Sequence, residues 1–137
     1  MSKFNSSTIS SLSSISYPST SSLAIDIEES TVQNPFYRRV IFTNKFQLVL
    51  MTLLPGETIP TEKHDTVDQF VRVESGSGIA MIGNDRYHIK ENSAIAIHSG
   101  TWHRFINNGN ENLSLYVIYS SPQHASDEID ERQPLSD

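Results

Sequence analysis

The stretch that decides the fold is "TIPTEKHDTVDQFVRVESGSG", residues 58–78, in which a dense polar cluster precedes an alternating run. Within residues 62–69 the cluster brings together side chains that carry oxygen or nitrogen lone pairs: Glu62, His64, Asp65, Asp68 and Gln69. A solvated turn between two strands would have the same composition. The cluster alone therefore leaves a surface turn and a ligand-binding site open, and a partner elsewhere in the chain must distinguish them.

The alternation of side chains between the two sides of a strand separates Gln69 from Glu62 and His64. Side chains two residues apart on a strand point to the same side, so Glu62 and His64 can reach one point. Gln69 lies an odd number of positions from His64, so the polar segment between them must turn the chain before the next strand. In that strand Gln69 shares a face with Val71 and Val73. A buried, unpaired amide costs about 1–3 kcal/mol, so Gln69 needs a partner, which a metal ion or its bound water would provide.

Length and composition indicate one domain without thiol chemistry. A chain of 137 residues suffices for a single hydrophobic core and not for two. Because cysteine is absent, disulfides and thiolate sites are excluded, and any metal must be bound by nitrogen and oxygen. No run approaches the roughly 18–20 apolar residues of a membrane span, and the N-terminus lacks a secretory-signal pattern. We therefore expect a soluble, cytoplasmic protein with no membrane partner.

The charge distribution argues against a nucleic-acid partner. The net charge of −6 lies at the two ends of the chain, whereas residues 31–123 balance eight basic against eight acidic side chains. That middle part has no basic stripe interleaved with aromatic residues, as nucleic-acid binding would require. We expect a small-molecule substrate and no nucleic acid.

Both ends of the chain have compositions that are typical of weakly ordered segments. Half of residues 1–22 are serine, and residues 124–137 are rich in acids, so neither end offers much apolar surface to offset the entropy of ordering. We predict a largely disordered tail over residues 1–33 and a domain over residues 34–123. The acidic tail over residues 124–137 is expected to be loosely ordered or packed on the surface.

Between the tails, the periodic segments are typical of β-strands. "RRVIFTNKFQLVLMTLLPG" contains two strand-like runs around a polar break, and "GIAMIGNDRYHIK" contains two more around a Gly-Asn-Asp turn. Further strands are predicted in "QFVRVESGSG", "SAIAIHSGTWHRFINNG" and "LSLYVIYSSP". No segment has the pattern of a long amphipathic helix, and strands recur about every 8–12 residues. This spacing favours an all-β sandwich or barrel.

A second polar stretch, "HSGTWHRFIN" at residues 98–107, supplies the partner that the first one needs. Its His103 begins a strand that hairpin strands could fold back toward Gln69. The two stretches resemble the paired motifs of the cupin superfamily, G-x5-H-x-H-x3,4-E-x6-G and G-x5-P-x-G-x2-H-x3-N. The positions that match these motifs in spacing are Gly56, Glu62, His64, Gln69, Gly76, His98, Gly100, His103 and Asn107.

The resemblance implies a fold and a set of metal ligands. It covers residues 34–123 and implies the cupin double-stranded β-helix, a jelly-roll barrel with a metal site inside. Carried over by position, it implies one divalent metal ion held by Glu62, His64, Gln69 and His103. Nitrogen and oxygen ligands suit Zn, Fe, Mn, Ni or Co, of which Zn is our prediction.

The chain departs from the two motifs in residue identity. Glu62 stands where the first motif has its first histidine, and Gln69 stands where that motif has glutamate. In the second motif, His98 occupies the proline position and Asn92 the leading glycine. The four implied ligands still carry one formal negative charge, as the usual set of three histidines and one glutamate does.

The flanking strands look most like small cupins grouped with mannose-6-phosphate isomerases. That resemblance implies a sugar-phosphate isomerase, in which the metal polarises a substrate oxygen and a carboxylate or histidine, Glu62 or His64, moves a proton through an enediol. A cupin dioxygenase and a non-catalytic, metal-stabilised module for a sugar or small ligand are the alternatives. No phosphate loop is visible, and the basic residues that could bind a phosphate are Arg38, Arg72, Arg86, Lys90 and Arg104.

The remaining polar and aromatic residues are expected to have structural roles. We do not expect His88, His98 or His124 to bind the metal. Trp102 points away from His103 and is interpreted as a packing or dimer contact, because the resemblance also implies a homodimer. Asn107 and Gly100 are expected to shape a turn. The aromatic residues expected in the core or the cavity wall are Tyr87, Phe105 and Tyr116.

Overall fold

Two antiparallel sheets form most of the molecule in the computed structural model, which describes residues 17–135. The elements are α1 (Ile27–Gln33), β1 (Arg38–Thr43), β2 (Gln47–Leu53), β3 (Thr58–Glu62), β4 (Asp68–Ser75), β5 (Ser77–Ile82), β6 (Asp85–Lys90), β7 (Ala94–Ile97), β8 (His103–Ile106), β9 (Leu113–Ser120) and β10 (Ile129–Asp130). One sheet has six strands in the order β10-β1-β2-β9-β4-β7, and the other has four in the order β3-β8-β5-β6. The predicted all-β jelly roll is confirmed.

The core lies between the two sheets and follows the alternation in the sequence. In β4 the buried positions include Gln69, Val71 and Val73, while Phe70 points outward. In β9 the buried positions include Leu115 and Val117. Burying alternate apolar side chains removes their surface from water, at about 25 cal/mol per Å², and fixes the strand register. Register then decides which polar side chains enter the interior.

The segment before the barrel differs from the disordered tail that we predict for residues 1–33. Residues 27–33 form the helix α1, with the Asp26 side chain accepting a hydrogen bond from the Glu29 N–H at the N-cap. The helix buries Ser30 and Thr31 against the six-stranded sheet. Its buried face consists of small polar side chains, so the apolar periodicity that predicts a helix is absent. Residues 1–16 lie outside the described residues.

The C-terminal segment is packed on the surface by polar contacts. Its Ile129 and Asp130 pair with Arg39 and Arg38 of β1, and Arg38 forms ion pairs of 3.1 Å with Glu128 and 2.7 Å with Asp130. Ile129 itself remains exposed. The segment is therefore held by strand pairing and by ion pairs, which its acidic residues provide. Within residues 17–135, no helix is long and apolar enough to cross a membrane.

Candidate metal centre

One end of the barrel interior carries two facing rows of side chains. On the four-stranded sheet, Glu62 lies opposite His103, and His103 lies opposite Ile82. On the six-stranded sheet the corresponding row consists of Gln47, Tyr119, Gln69 and Ile97, which are register partners and are all buried. Two sheets that pack face to face bring such rows toward each other. This end of the barrel holds its polar interior residues.

Three potential metal ligands converge between these rows. Glu62 Oε1 lies 3.2 Å from His64 Nε2 and 3.3 Å from His103 Nε2. Ligand atoms of the three residues all lie within 4.8 Å of one another. The two imidazole rings are 5.6 Å apart, centroid to centroid. Glu62 and His64 are half-buried and His103 is buried.

The hydrogen bond of His103 determines which ring nitrogen faces this group. Nδ1 lies 2.9 Å from the Thr101 carbonyl oxygen. A carbonyl can only accept, so Nδ1 carries the proton and donates it, and in the neutral ring the Nε2 lone pair points at Glu62. A lone pair facing a carboxylate oxygen requires a proton or a cation between them. The same arrangement, an imidazole oriented by a backbone carbonyl, is common among metal-binding histidines.

The electrostatics of Glu62 favour the ionised form that a metal requires. Burial alone would raise the pKa of its carboxyl group, but His103 and His64 outweigh burial through hydrogen bonding and positive charge when a proton lies on their facing nitrogens. The pKa of Glu62 is therefore lowered below its ordinary value. Glu62 therefore offers an ionised carboxylate beside the two imidazole rings.

Gln69 is in the position that the strand phase predicts. Its side chain is buried, and among the described residues its Oε1 accepts no hydrogen bond. Gln69 lies opposite Tyr119 in the sheet, and the Tyr119 ring contacts the His64 ring, with 5.9 Å between centroids. A buried acceptor without a donor is unfavourable by about 1–3 kcal/mol. A metal ion, or water bound to one, would satisfy this oxygen, so the residues present fit a divalent cation.

Two loops hold the histidines in place. The chain turns after His64, as the strand phase requires, and the His64 carbonyl accepts a 2.7 Å hydrogen bond from the Gly100 N–H. Asp68 Oδ1 accepts a 2.9 Å bond from the Ser99 N–H. Asp68 is exposed, and its carboxylate connects the start of β4 to the loop that delivers His103. Asp65 is exposed and lies 3.4 Å from Lys63.

The other three histidines lie outside this group. His88 and His98 are exposed, and His98 Nδ1 lies 2.7 Å from the Ser99 carbonyl. His124 contacts Tyr119 and Glu128. Trp102 is about half exposed on the opposite side from His103, with Lys63 Nζ 5.3 Å from its ring centroid.

The turn and core residues are partly as expected. Asn107 is buried and donates to the carbonyl groups of Leu53 and Glu111, which fixes the turn after β8. Phe105 is a core residue. Tyr116, which we expected inside, instead packs on the outer face of the six-stranded sheet, with its ring 6.4 Å from that of Phe70.

Tyr119 lies inside the barrel, as the core residue Tyr37 does, and its place there is not among our predictions. It follows Leu115 and Val117 at intervals of two and is buried like them. The alternation in "LSLYVIYSSP" places Tyr116 and Tyr119 on opposite faces. Counting alternate residues from Leu115 would therefore have placed Tyr119 in the interior.

The basic residues that could bind a phosphate do not surround the three ligands. Arg38 is buried in its ion pairs with Glu128 and Asp130. Arg72 donates a 2.9 Å hydrogen bond to the Asn92 side chain. The exposed remainder consists of Arg86, Lys90 and Arg104. Among residues 17–135, no hydrogen bond or ion pair joins any of these five to Glu62, His64 or His103.

Comparison with known proteins agrees with this architecture. The sequence pattern of the cupin domain matches residues 49–119. An uncharacterized protein of Acanthamoeba polyphaga mimivirus is 44% identical over 117 residues, which cover 82% of this chain and 73% of that protein. A crystal structure of a Bacillus halodurans protein has a TM-score of 0.79 at 37% identity and covers 80% of this chain and 89% of the other.

A more distant structure carries a functional description. A protein from Acidithiobacillus ferrooxidans, provisionally described as a sugar phosphate isomerase, has a TM-score of 0.54 at 25% identity. The match covers 58% of this chain and about half, 52%, of that one. The cupin pattern spans more than half of the chain and includes the strands that carry the three converging ligands. The chain belongs to the cupin family.

Proposed function

We propose that this protein is a metal-dependent enzyme that binds one divalent cation through Glu62, His64 and His103, with Gln69 as a fourth ligand or as the partner of a metal-bound water. The observation that carries the proposal is the convergence of Glu62 Oε1 with the Nε2 atoms of His64 and His103 at 3.2 and 3.3 Å. The unpartnered Oε1 of Gln69 supports the same site. Zn is the proposed metal, and Fe, Mn, Ni and Co suit the same donor set.

The proposed reaction is an aldose–ketose isomerisation of a sugar or sugar phosphate. When bound, the cation supplies Lewis-acid polarisation of a substrate oxygen. We assign the proton transfer to Glu62, which is ionised, or to His64: the residue takes a proton from one substrate carbon and returns it to the adjacent carbon, while the hydroxyl proton passes to the former carbonyl oxygen. The neutral Gln69 amide leaves one negative charge among the ligands, which keeps the site cationic overall. The described sugar phosphate isomerase relative supports this class of reaction.

Substrate recognition is proposed to rest on the polar groups of the interior more than on a phosphate anchor. Arg38 and Arg72 are already engaged by acceptors of this chain. A phosphate group would have to lie at the exposed rim, so both mannose 6-phosphate and free mannose should be assayed. Faster turnover of the free sugar would indicate that hydroxyl groups, and not a phosphate, are recognised.

A second candidate function is a dioxygenase. Two imidazoles and one carboxylate form the facial triad that non-haem Fe(II) oxygenases use, with positions left open for substrate and oxygen. Glu62, His64 and His103 provide that set of donors. The two functions differ in a co-substrate, because only the dioxygenase consumes oxygen.

The proposed function is tested in two steps. Elemental analysis of protein purified without an affinity tag should find about one equivalent of a divalent metal. The metal-loaded protein is then assayed for isomerisation and, in a sealed cell, for oxygen uptake. Absence of metal under conditions that load other cupins would contradict the enzyme proposal at its first step. Metal binding without either activity would favour a ligand-binding module.

We further propose that the protein is a homodimer. The outer face of the six-stranded sheet carries a row of apolar side chains that are register partners across five strands: Phe42, Leu48, Ile118, Phe70 and Ala96. Phe70 is about one-third exposed and nearby Phe46 nearly one-half. Continuous apolar surface of this kind is typical of protein–protein contacts.

A further inference from the structure

We propose that the C-terminal segment 121–131 is part of the metal centre, because its His124 positions Tyr119 against the ligand His64. This inference rests on the proposed metal binding and assigns a role to residues outside both cupin motifs. Tyr119 and His124 are positioning residues here: they act on the metal through His64 and not as ligands.

Tyr119 lies between His64 and His124. Its ring meets the His64 ring edge-on, with 5.9 Å between centroids and an interplanar angle of 87°. On its other side, the ring is 5.4 Å from that of His124, and its hydroxyl lies 3.4 Å from His124 Nε2. Only 3% of Tyr119 is exposed, so its ring has little freedom to move. Edge-to-face contacts of this kind fix the relative orientation of two rings.

His124 is itself held at three points. The buried side chain of Gln47 donates to the His124 carbonyl at 2.8 Å, and its Oε1 accepts from the N–H of His124 at 3.0 Å. On the ring, Nδ1 lies 3.3 Å from Glu128 Oε1, and Glu128 is held by Arg38. With Nδ1 directed at a carboxylate, Nε2 is the acceptor for the Tyr119 hydroxyl.

The two histidine ligands are therefore oriented by different means. His103 donates its Nδ1 proton to the Thr101 carbonyl, which sets its ring. Among the described residues, no hydrogen bond to Nδ1 of His64 plays that role, and His64 lies beyond the end of β3. The Tyr119 ring is the wall against which His64 packs. Loss of the Tyr119–His124 contact should allow the His64 ring to turn and weaken the metal site.

The experiment is a Co²⁺ titration of the metal-free full chain, with binding constants measured by chelator competition and geometry by the visible d–d spectrum. Tyr119→Phe removes only the hydroxyl, and His124→Phe keeps a ring but removes both nitrogens. Each should weaken Co²⁺ binding by about tenfold, the lower range for residues that orient a ligand, and should change the spectrum. The double variant should be no weaker than either single one, because both lose the same contact.

Arg132→Gln is the matched control in the same part of the chain. Arg132 donates to the Pro35 carbonyl at 3.1 Å and lies 3.8 Å from Glu57, away from Tyr119. It should leave the Kd and the spectrum for Co²⁺ unchanged. An equal effect in the control, or unchanged Co²⁺ binding in folded Tyr119→Phe and His124→Phe, would overturn this inference but not the proposed function. If the wild-type protein bound no Co²⁺, both this inference and the proposed function would be wrong.

Discussion

At the scale of single residues, the two imidazoles should be indispensable for metal binding. His64→Ala and His103→Ala each remove one of the converging Nε2 atoms, and loss of a direct ligand weakens binding by more than the roughly 10–100-fold of an outer residue. Both variants should therefore be purified nearly free of metal, as measured by elemental analysis and chelator competition.

Asp65→Ala is the control for this pair, because Asp65 is exposed and its nearest charged partner is Lys63. Asp68 is a less clean control, since its carboxylate holds the Ser99 N–H of the loop that delivers His103. We still expect Asp68→Ala to retain its metal, because Asp68 supplies no ligand. Loss of metal in the aspartate variants, with retention in the histidine variants, would mean that oxygen ligands of the turn form the site.

The Gln69→Glu substitution tests the amide position. Gln69 is buried with an unpartnered Oε1, and a carboxylate there would restore the more usual cupin ligand. The variant should keep its metal and hold it more tightly against a chelator, because a second negative charge would attract the cation. Activity should change, since the charge of the site falls by one. A variant that binds metal less tightly would indicate that Gln69 does not face the cation.

At the scale of elements, two turn glycines should differ in their tolerance of a side chain. Gly76 joins β4 to β5 at φ +89°, and an added Cβ would lie 2.2 Å from the Asn112 carbonyl oxygen. Gly100, at φ +81°, has open space around it. Gly100→Ala should lower the free energy of unfolding by about 1–3 kcal/mol, the strain of a non-glycine residue in the left-handed region. Gly76→Ala should lower it further, because the added Cβ also clashes with the backbone. Thermal unfolding should give a clearly lower Tm for Gly76→Ala, and equal Tm values would contradict this.

At the scale of the whole molecule, the N-terminal segment should have two parts. Ser19 exchanges hydrogen bonds with Ile41 and Thr43 of β1, and Tyr17 stacks on Arg39. Deleting residues 1–16, which are rich in serine, should leave Tm and metal content unchanged. Deleting residues 1–22 also removes those contacts, worth about 0.5–1.5 kcal/mol for each hydrogen bond, and should lower Tm by several degrees. Equal Tm values for both truncations would show that the Ser19 contacts contribute nothing.

The proposed homodimer is also a property of the whole molecule. The apolar row on the outer face of the six-stranded sheet should be covered by a second copy, so sedimentation at micromolar concentration should give twice the monomer mass. Phe70→Lys places a charge within that row without entering the core and should shift the protein toward monomer. A wild-type monomer under these conditions would contradict the proposal.

The sequence predicted the residues that converge at this end of the barrel better than it predicted their surroundings. The motif spacing identifies Glu62, His64 and His103, and the phase of β4 places Gln69 inside. Each of these inferences depends on residues close together along the chain or on motif spacing. Tyr119 was missed because β9 contains two tyrosines, and only the spacing from Leu115 separates Tyr119 from Tyr116.

The sequence by itself determined the all-β class, the two polar stretches and the side of each strand that faces the core, because alternation and turn residues are local properties. Only the tertiary structure decided that Asp68 connects the two loops, that α1 covers the sheet with Ser30 and Thr31, and that His124 lies against Tyr119. These contacts join segments far apart in the chain through polar or small side chains. Such contacts produce no periodic pattern in the sequence, so the contacting residues can be identified only from the folded structure.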